Sequence, residues 1–276
     1  MRVQIHPLSF ALAVGVAFAL TPNALAQSSA PGSQPAPASA ESAKPATAES
    51  LLKQGADYRF GRGVLPDDAK AAKLYRQAAD QGYGPAEFEL GDLYELGLGQ
   101  AIPQDYEQAA LWYRKAADQG VIGAEIKLGY LYQQGDGVTQ DYIQAARWYR
   151  KAADQGNPTA QNNLGVLYEY GNGVPQDYGQ AAIWFRKAAD QGLARAQRNL
   201  GNLYYVGQGV PQDYAEAYFW MDLALAGNIG DGNEQERRNA ESARDNAASR
   251  LTGAKVSEIQ ARATRWFDEH RTSGTK

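Results

Sequence analysis

Of the 31 Asp and Glu residues in this sequence, Asp92 and Glu95 are the pair to inspect for a hydrolytic reaction. Glycoside hydrolysis runs on two carboxyls, about 5–5.5 Å apart in retaining enzymes and about 6.5–9.5 Å apart in inverting ones, with the acid's pKa raised. Little other chemistry is within reach. The chain of 276 residues has no Cys and two His, His6 and His270, the second lying six residues from the end. From Leu51 to Gly227 there is no Ser, and the only Thr residues are Thr139 and Thr159. Nucleophilic catalysis needs a hydroxyl or thiol beside a base that can take its proton, and this stretch supplies no such pairing. Zinc, copper or non-haem iron sites built on His and Cys are excluded for the same reason. The expectation is a chain that is not an enzyme and holds neither cofactor nor metal.

Other recurring residues read more simply as structure. Asp105, Asp141, Asp177 and Asp213 each precede an apolar helix, with Gln or Glu three residues later, the pattern of a helix-capping box rather than a calcium site. Gly61-x-Gly63, Gly135-x-Gly137, Gly171-x-Gly173 and Gly207-x-Gly209 lack the strand and the Lys-Ser/Thr of a phosphate loop, so they read as turns between helices. Trp112, Trp148, Trp184 and Trp220 lie on alanine-rich stripes and read as core, not as sugar platforms. Arg-Lys pairs such as Arg114-Lys115 and Arg150-Lys151 sit near helix C-termini, where cations suit the dipole, and read as a solvated outer face. His270, between Glu269 and Arg271, reads as a solvated terminal residue.

The elements that position these residues divide the chain into four parts. Residues 1–26 read as a secretory signal: Arg2 supplies the charge, Leu8 to Leu20 the apolar run, and Ala24-Leu25-Ala26 a small-x-small cleavage site. The run is shorter than the roughly 20 residues of a spanning helix, so no stable membrane insertion is expected after cleavage. The expected location is periplasmic or secreted. Loss of Arg2 takes the net charge from −4 to −5, which argues against a nucleic-acid surface. Residues 27–50 contain 18 Ala, Ser, Pro or Gly among 24, with no apolar periodicity, and read as a disordered linker.

Residues 51–227 are a repeat. The sequences QDYEQAALWYRKAADQG, QDYIQAARWYRKAADQG and QDYGQAAIWFRKAADQG begin at Gln104, Gln140 and Gln176, a 36-residue period. A diverged copy over Asp67–Gly82 precedes them by 38 residues, with two extra residues in the intervening loop. Each of the five copies has the punctuation of two helices. In the fourth, Asn157-Pro158 starts the first and Gly171 ends it, then Asp177 starts the second and Gly192 ends it. Such a hairpin cannot bury its apolar stripes alone, and stacking the next copy does so. Residues 228–276 read as a cap, with capping boxes Asn233/Glu236 and Ser257/Gln260 opening helices near 234–251 and 258–270. Leu251, Val256, Ile259, Trp266 and Phe267 are its expected anchors.

The pattern A-x3-L-G-x-L-Y-x2-G-x-G-V-P-Q-D-Y-x-Q-A-A-x-W-Y-x-K-A-A-x2-G resembles the Sel1-like repeat, a relative of the tetratricopeptide repeat. The resemblance implies an all-α fold, a right-handed α-solenoid of antiparallel helix pairs with a helical cap, acting as an adaptor for other proteins. Gln54 and Leu74 depart from the family's Leu and Trp, and Met221–Gly227 replaces the usual R-K-A-A-D-Q-G, as if the last copy packs on something other than a repeat. The resemblance also implies that variable positions of the first helices line a concave groove. Those positions are Phe88, Asp92 and Glu95; Ile126, Tyr130 and Gln133; Asn162, Val166 and Glu169; and Arg195, Arg198, Asn202 and Tyr205. The set runs from acidic to basic, which would orient an extended peptide by charge. The leading expectation is an exported scaffold that binds a protein or peptide in envelope assembly, signalling or host interaction. The alternative is an envelope module for polysaccharide or peptidoglycan, extending to a weak hydrolase that uses Asp92 and Glu95.

Overall fold

The computed structural model describes residues 46–98, 102–227 and 234–273, with side chains to 270. The signal at 1–26, the linker as far as 45 and the Asn233 cap lie outside the described residues. Five helical hairpins follow one another. Their first helices are α1 (Ala48–Phe60), α3 (Gly84–Leu96), α5 (Ile122–Gln134), α7 (Pro158–Tyr170) and α9 (Ala194–Val206). Their second helices are α2 (Asp68–Ala79), α4 (Tyr106–Asp118), α6 (Tyr142–Asp154), α8 (Tyr178–Asp190) and α10 (Tyr214–Ala226). Two further helices, α11 (Glu234–Ala248) and α12 (Gly253–Ser273), close the array. Each helix packs on the one before and after it through the ten repeat helices, which makes an all-α solenoid. The start of α1 at Ala48, capped by the Thr47 side chain, takes the last three residues assigned to the linker into the first repeat.

The helix starts follow from the aspartates. Asp67, Asp105, Asp141, Asp177 and Asp213 each accept a hydrogen bond from the backbone N–H three residues on, at 2.9–3.1 Å. The reciprocal half of the expected capping box does not form. Each aspartate's own N–H donates instead to a tyrosine carbonyl of the preceding helix, from Tyr58, Tyr94, Tyr132, Tyr168 or Tyr204. The second helix is thereby tied to the first, and the Gln side chain is left free of the cap. The Gly-x-Gly pairs are inter-helix turns, with left-handed φ at both glycines of each pair. At Gly137 a side chain is excluded twice over, because φ is +67° and a Cβ would lie 2.1 Å from the Tyr106 backbone of the preceding repeat.

Within each hairpin the second helix sends one large side chain through a slot in the first. Tyr113, Tyr149 and Phe185 are fully buried and pack on Gly91, Gly129 and Gly165, where an added Cβ would meet the ring at 2.6–2.7 Å. The four tryptophans are 2–6% exposed and belong to the core, as their stripes imply. Burying a side chain of this size contributes about 1.5–3 kcal/mol, so the array is stabilised chiefly by these rings and their alanine neighbours.

The last second helix differs from the others. In α10, Tyr218, Phe219, Trp220, Met221, Leu223 and Ala224 are all buried, so most of its circumference is enclosed, with Glu216 and Asp222 facing arginines of the cap. It is enclosed by α9 on one side and by α11 and α12 on others, which accounts for the altered ending of the fifth copy. Ile259 is buried against it, and Leu251, Val256, Trp266 and Phe267 pack on the same cluster. The helix bounds differ from expectation. Thr252, not Ser257, accepts the capping N–H of Lys255, and Ser257 sits inside α12 with its hydroxyl on the Gly253 carbonyl. Every Ser and Thr near a helix start is a plausible cap on sequence alone, and Gly253 as a first helical residue disguised the true start.

Candidate functional site

The two surfaces of the array are held by different chemistry. Along the second helices, Arg76, Arg114, Arg150 and Arg186 each donate to the hydroxyl of a tyrosine in the next repeat: Tyr94, Tyr132, Tyr168 and Tyr204. The same guanidinium lies over the next repeat's tryptophan, at 4.8 Å for Arg76 on Trp112 and 4.9 Å for Arg150 on Trp184. Lys115, Lys151 and Lys187 cover Trp112, Trp148 and Trp184 at 3.8–4.1 Å. These pairs are therefore not a merely solvated face. The arginines are half-buried clasps between repeats, and each cation–π contact is of the order of 1 kcal/mol.

At the last junction Leu223 stands where the second to fourth copies have lysine, and α12 takes over. Trp266 and Arg262 of α12, with Arg186 and Asp190 of α8 and Trp220 of α10, line a cavity of about 250 Å³. His270 stacks on Trp266 at 3.7 Å, and its ring nitrogens lie 2.7 Å from the Trp266 carbonyl and 3.1 Å from that of Asp190. It is exposed yet docked on α8, not merely solvated. Burial raises the Asp190 carboxyl, and Arg186 and His270 offset part of that.

The residues expected to line a groove all lie on the first helices, but most are already engaged. Glu95 is paired with Lys127 of the next repeat at 2.8 Å. The Tyr113 hydroxyl lies 2.6 Å from Asp92 Oδ1 and 2.5 Å from Glu95 Oε2, and its single proton can serve one of them at a time. Burial pushes the Tyr113 hydroxyl far up, with both carboxylates adding to it. Gln133 accepts from Tyr149 at 3.0 Å. Asn162 is buried and accepts from Asn199 at 3.0 Å, while Arg198 donates to Asn199 and to Glu236 of α11 at 3.2 Å each. Glu169 is half-buried, and burial raises its carboxyl against the opposing charge of Arg198.

Phe88, Ile126 and Val166 are half-buried in packing, Phe88 against the Tyr113 ring at 5.8 Å. Tyr205 is half-buried and meets Tyr214 edge-on at 5.6 Å. Tyr130, Arg195 and Asn202 are exposed. The acidic-to-basic run is thus largely neutralised inside the array, and it does not present itself as a bare gradient. The Asp92–Glu95 pair is likewise committed, Glu95 to a lysine and both carboxylates to one phenol. Among the described residues no group of three or more His, Asp or Glu is arranged to hold a metal ion.

Sequence reasoning missed a second set of residues. The last residue of α1, α3, α7 and α9 is a large apolar side chain in each case, and each is mostly exposed: Phe60 57%, Leu96 58%, Tyr170 65% and Val206 57%. In α5 that position is Gln134, and Tyr130, one turn earlier, is 45% exposed instead. One exposed apolar group thus recurs on each of the five first helices. The signal was an apolar residue just before the helix-ending glycine, off the buried stripe, which is easily read as part of the turn. The second helices expose Leu111, Ile143 and Ile183 in the second to fourth repeats, but the series stops at both ends, with Lys73 in the first repeat and buried Phe219 in the fifth.

A family model for the Sel1 repeat matches five consecutive segments, residues 49–83, 84–121, 122–157, 158–193 and 194–228. A protective antigen of uropathogenic Escherichia coli strains with an SLR fold is 31% identical, over 83% of this chain and 49% of that one, with a TM-score of 0.72. This chain therefore spans about half of the antigen's length. A Sel1 repeat protein from Oxalobacter formigenes is 32% identical over 72% of this chain and 88% of its own, with a TM-score of 0.64. No curated protein matches the chain. No helix among the described residues is long and apolar enough to cross a membrane. Five matched repeats over the whole solenoid place this chain in the Sel1 repeat family.

Proposed function

We propose that this chain is an exported, non-enzymatic scaffold that docks a protein or peptide partner on the face formed by its first helices. The observation that carries this reading is the line of one exposed apolar side chain per first helix. Isolated surface apolar groups need no explanation, whereas a line that recurs through five repeats has the form of a docking surface. The charged groups beside it are mostly spent on one another, so the line, and not a bare field, supplies the affinity.

Export is supported by the sequence of residues 1–26, with cleavage after Ala26 and action in the periplasm or outside the cell. The description of the Escherichia coli relative as a protective antigen agrees with such exposure. A glycan-hydrolysing role at Asp92 and Glu95 gains no support, because Glu95 is paired with Lys127 and both carboxylates face the Tyr113 hydroxyl.

The test is a photo-crosslinking amino acid placed at Leu96 or Tyr170, and at exposed Lys73 on the second helices, in cells that produce the full chain. The expected result is one shared adduct from Leu96 and Tyr170 in the envelope or secreted fraction, and none from Lys73. The reverse pattern would remove the first-helix face as the docking surface.

A further inference from the structure

We propose that the groove between the fourth and fifth repeats, beside α8, binds a small carboxylic acid with an apolar body, of the kind of a free medium-chain fatty acid. The site is independent of the docking face on the first helices. The groove has a volume of about 520 Å³. Its lining includes buried Ala182 of α8 and Leu200 of α9, exposed Ile183, and half-buried Val210. A space of that size, joining apolar walls to a few polar groups, has the make-up of a small-ligand pocket. The groove between the second and third repeats is of similar volume, about 550 Å³, but Arg114, Thr139, Gln140, Asp141 and Gln144 supply most of its lining.

Two residues set this junction apart. Gly179 stands where Ala69, Glu107, Ile143 and Ala215 follow the same capping aspartate in the other copies. A Cβ there would meet only Asp177 Oδ1 at 3.2 Å and the Gly209 carbonyl at 3.9 Å, so the array has no need of the glycine. What the missing side chain does is leave the groove open. Ile183, one turn later, is 49% exposed where the third repeat has Arg147. On the other side Arg262 lies over Phe219 at 3.7 Å. A broad apolar partner would have to bury those cations, whereas one compact apolar group would not. The lining also selects the head group, since it carries Arg186 and Lys187 against Asp177 alone. Asp177 Oδ1 is committed to the Gln180 N–H, and Arg186 to the Tyr204 hydroxyl and the Trp220 ring. Lys187 lies over Trp184 at 4.0 Å and has no ion pair among the described residues. Its ammonium and the uncommitted side-chain amide of Gln180 are donors suited to a carboxylate.

The experiment is isothermal titration calorimetry of the full chain with decanoate, decanol and decylamine, each below its micelle-forming concentration. Decanoate should bind at one site, more tightly than decanol by about two- to fivefold, with decylamine the weakest. Gly179→Ile, which copies Ile143, should weaken decanoate and decanol alike by about tenfold or more, and Ile183→Ser should weaken both by less. Lys187→Gln should lower decanoate to the affinity of decanol and leave decanol unchanged. Circular dichroism and the urea midpoint check that each variant keeps its fold. Ile183 is exposed, so its variant remains a test if Gly179→Ile fails to fold. The inference is overturned by the absence of saturable heat with decanoate, or by decanol or decylamine binding as tightly. It is equally overturned by a decanoate affinity indifferent to Gly179→Ile and Ile183→Ser.

Discussion

The second-helix face repeats the same clasp at four successive junctions, while the first-helix face changes at each one. Arg76, Arg114, Arg150 and Arg186 all reach a tyrosine of the following repeat. On the other face, the side chain sent through the glycine slot is Tyr113 on two carboxylates, then Tyr149 on an amide, then Phe185 with no hydroxyl. The clasp that recurs unchanged holds one repeat to the next, whereas the fully buried slot residues change their polar partners from copy to copy.

The sharpest way to break that contrast is at a glycine. Gly137→Ala forces a Cβ onto the Tyr106 backbone at a left-handed φ, and should cost about 3 kcal/mol or more, seen as a fall in the urea midpoint. Gly156→Ala has a left-handed φ but nothing within 4 Å, so only strain of about 1–2 kcal/mol is expected there. Next comes the clasp. Arg150→Ala removes a hydrogen bond to Tyr168 and a contact over Trp184, and should cost about 2 kcal/mol without altering partner binding. Tyr170→Ser on the opposite face should change stability by no more than about 0.5 kcal/mol while weakening the partner. Equal stability losses from the two changes would erase the division between faces.

The smallest effect concerns two carboxyls inside the hairpins. Glu87 and Glu125 are buried and accept from Gln119 and Gln155 at 2.7 and 2.8 Å, and burial raises both carboxyls, Lys115 and Lys151 offsetting part. The folded chain therefore keeps those protons to higher pH than the unfolded chain does. Stability from this source is greatest on the acid side and is lost as pH rises from the ordinary carboxylate range through the raised values. Glu87→Gln with Glu125→Gln copies the neutral Gln161 and Gln197 of the later repeats. The double variant should flatten that part of the profile and shift stability near neutral pH by about 1 kcal/mol or less, read from urea midpoints across the range.

Period, caps and core were legible in the sequence because they depend on spacing within one repeat. Asp177 before an apolar stripe and Trp184 on it need no knowledge of neighbours. The clasps were not legible, since Arg150 and Tyr168 are 18 residues apart and meet only when the next hairpin stacks, so a charged pair reads as solvated. The candidate groove positions all lie on first helices, and their contacts were hidden for the same reason: Lys127 pairs with Glu95 across a junction. The line of Phe60, Leu96, Tyr170 and Val206 escaped because an apolar residue before a glycine resembles a turn.

The turn glycine Gly173 seats on Tyr142 of the repeat before it in the way Gly209 seats on Tyr178. Interchangeable seats of this kind make the middle of the chain modular in heredity as well as in packing. Excising residues 142–177 would join Asp141 to Tyr178, pairing a cap with a helix of the same design. Gene duplication or loss in steps of one repeat can thus lengthen or shorten the line of footholds one at a time, without redesign of the cap.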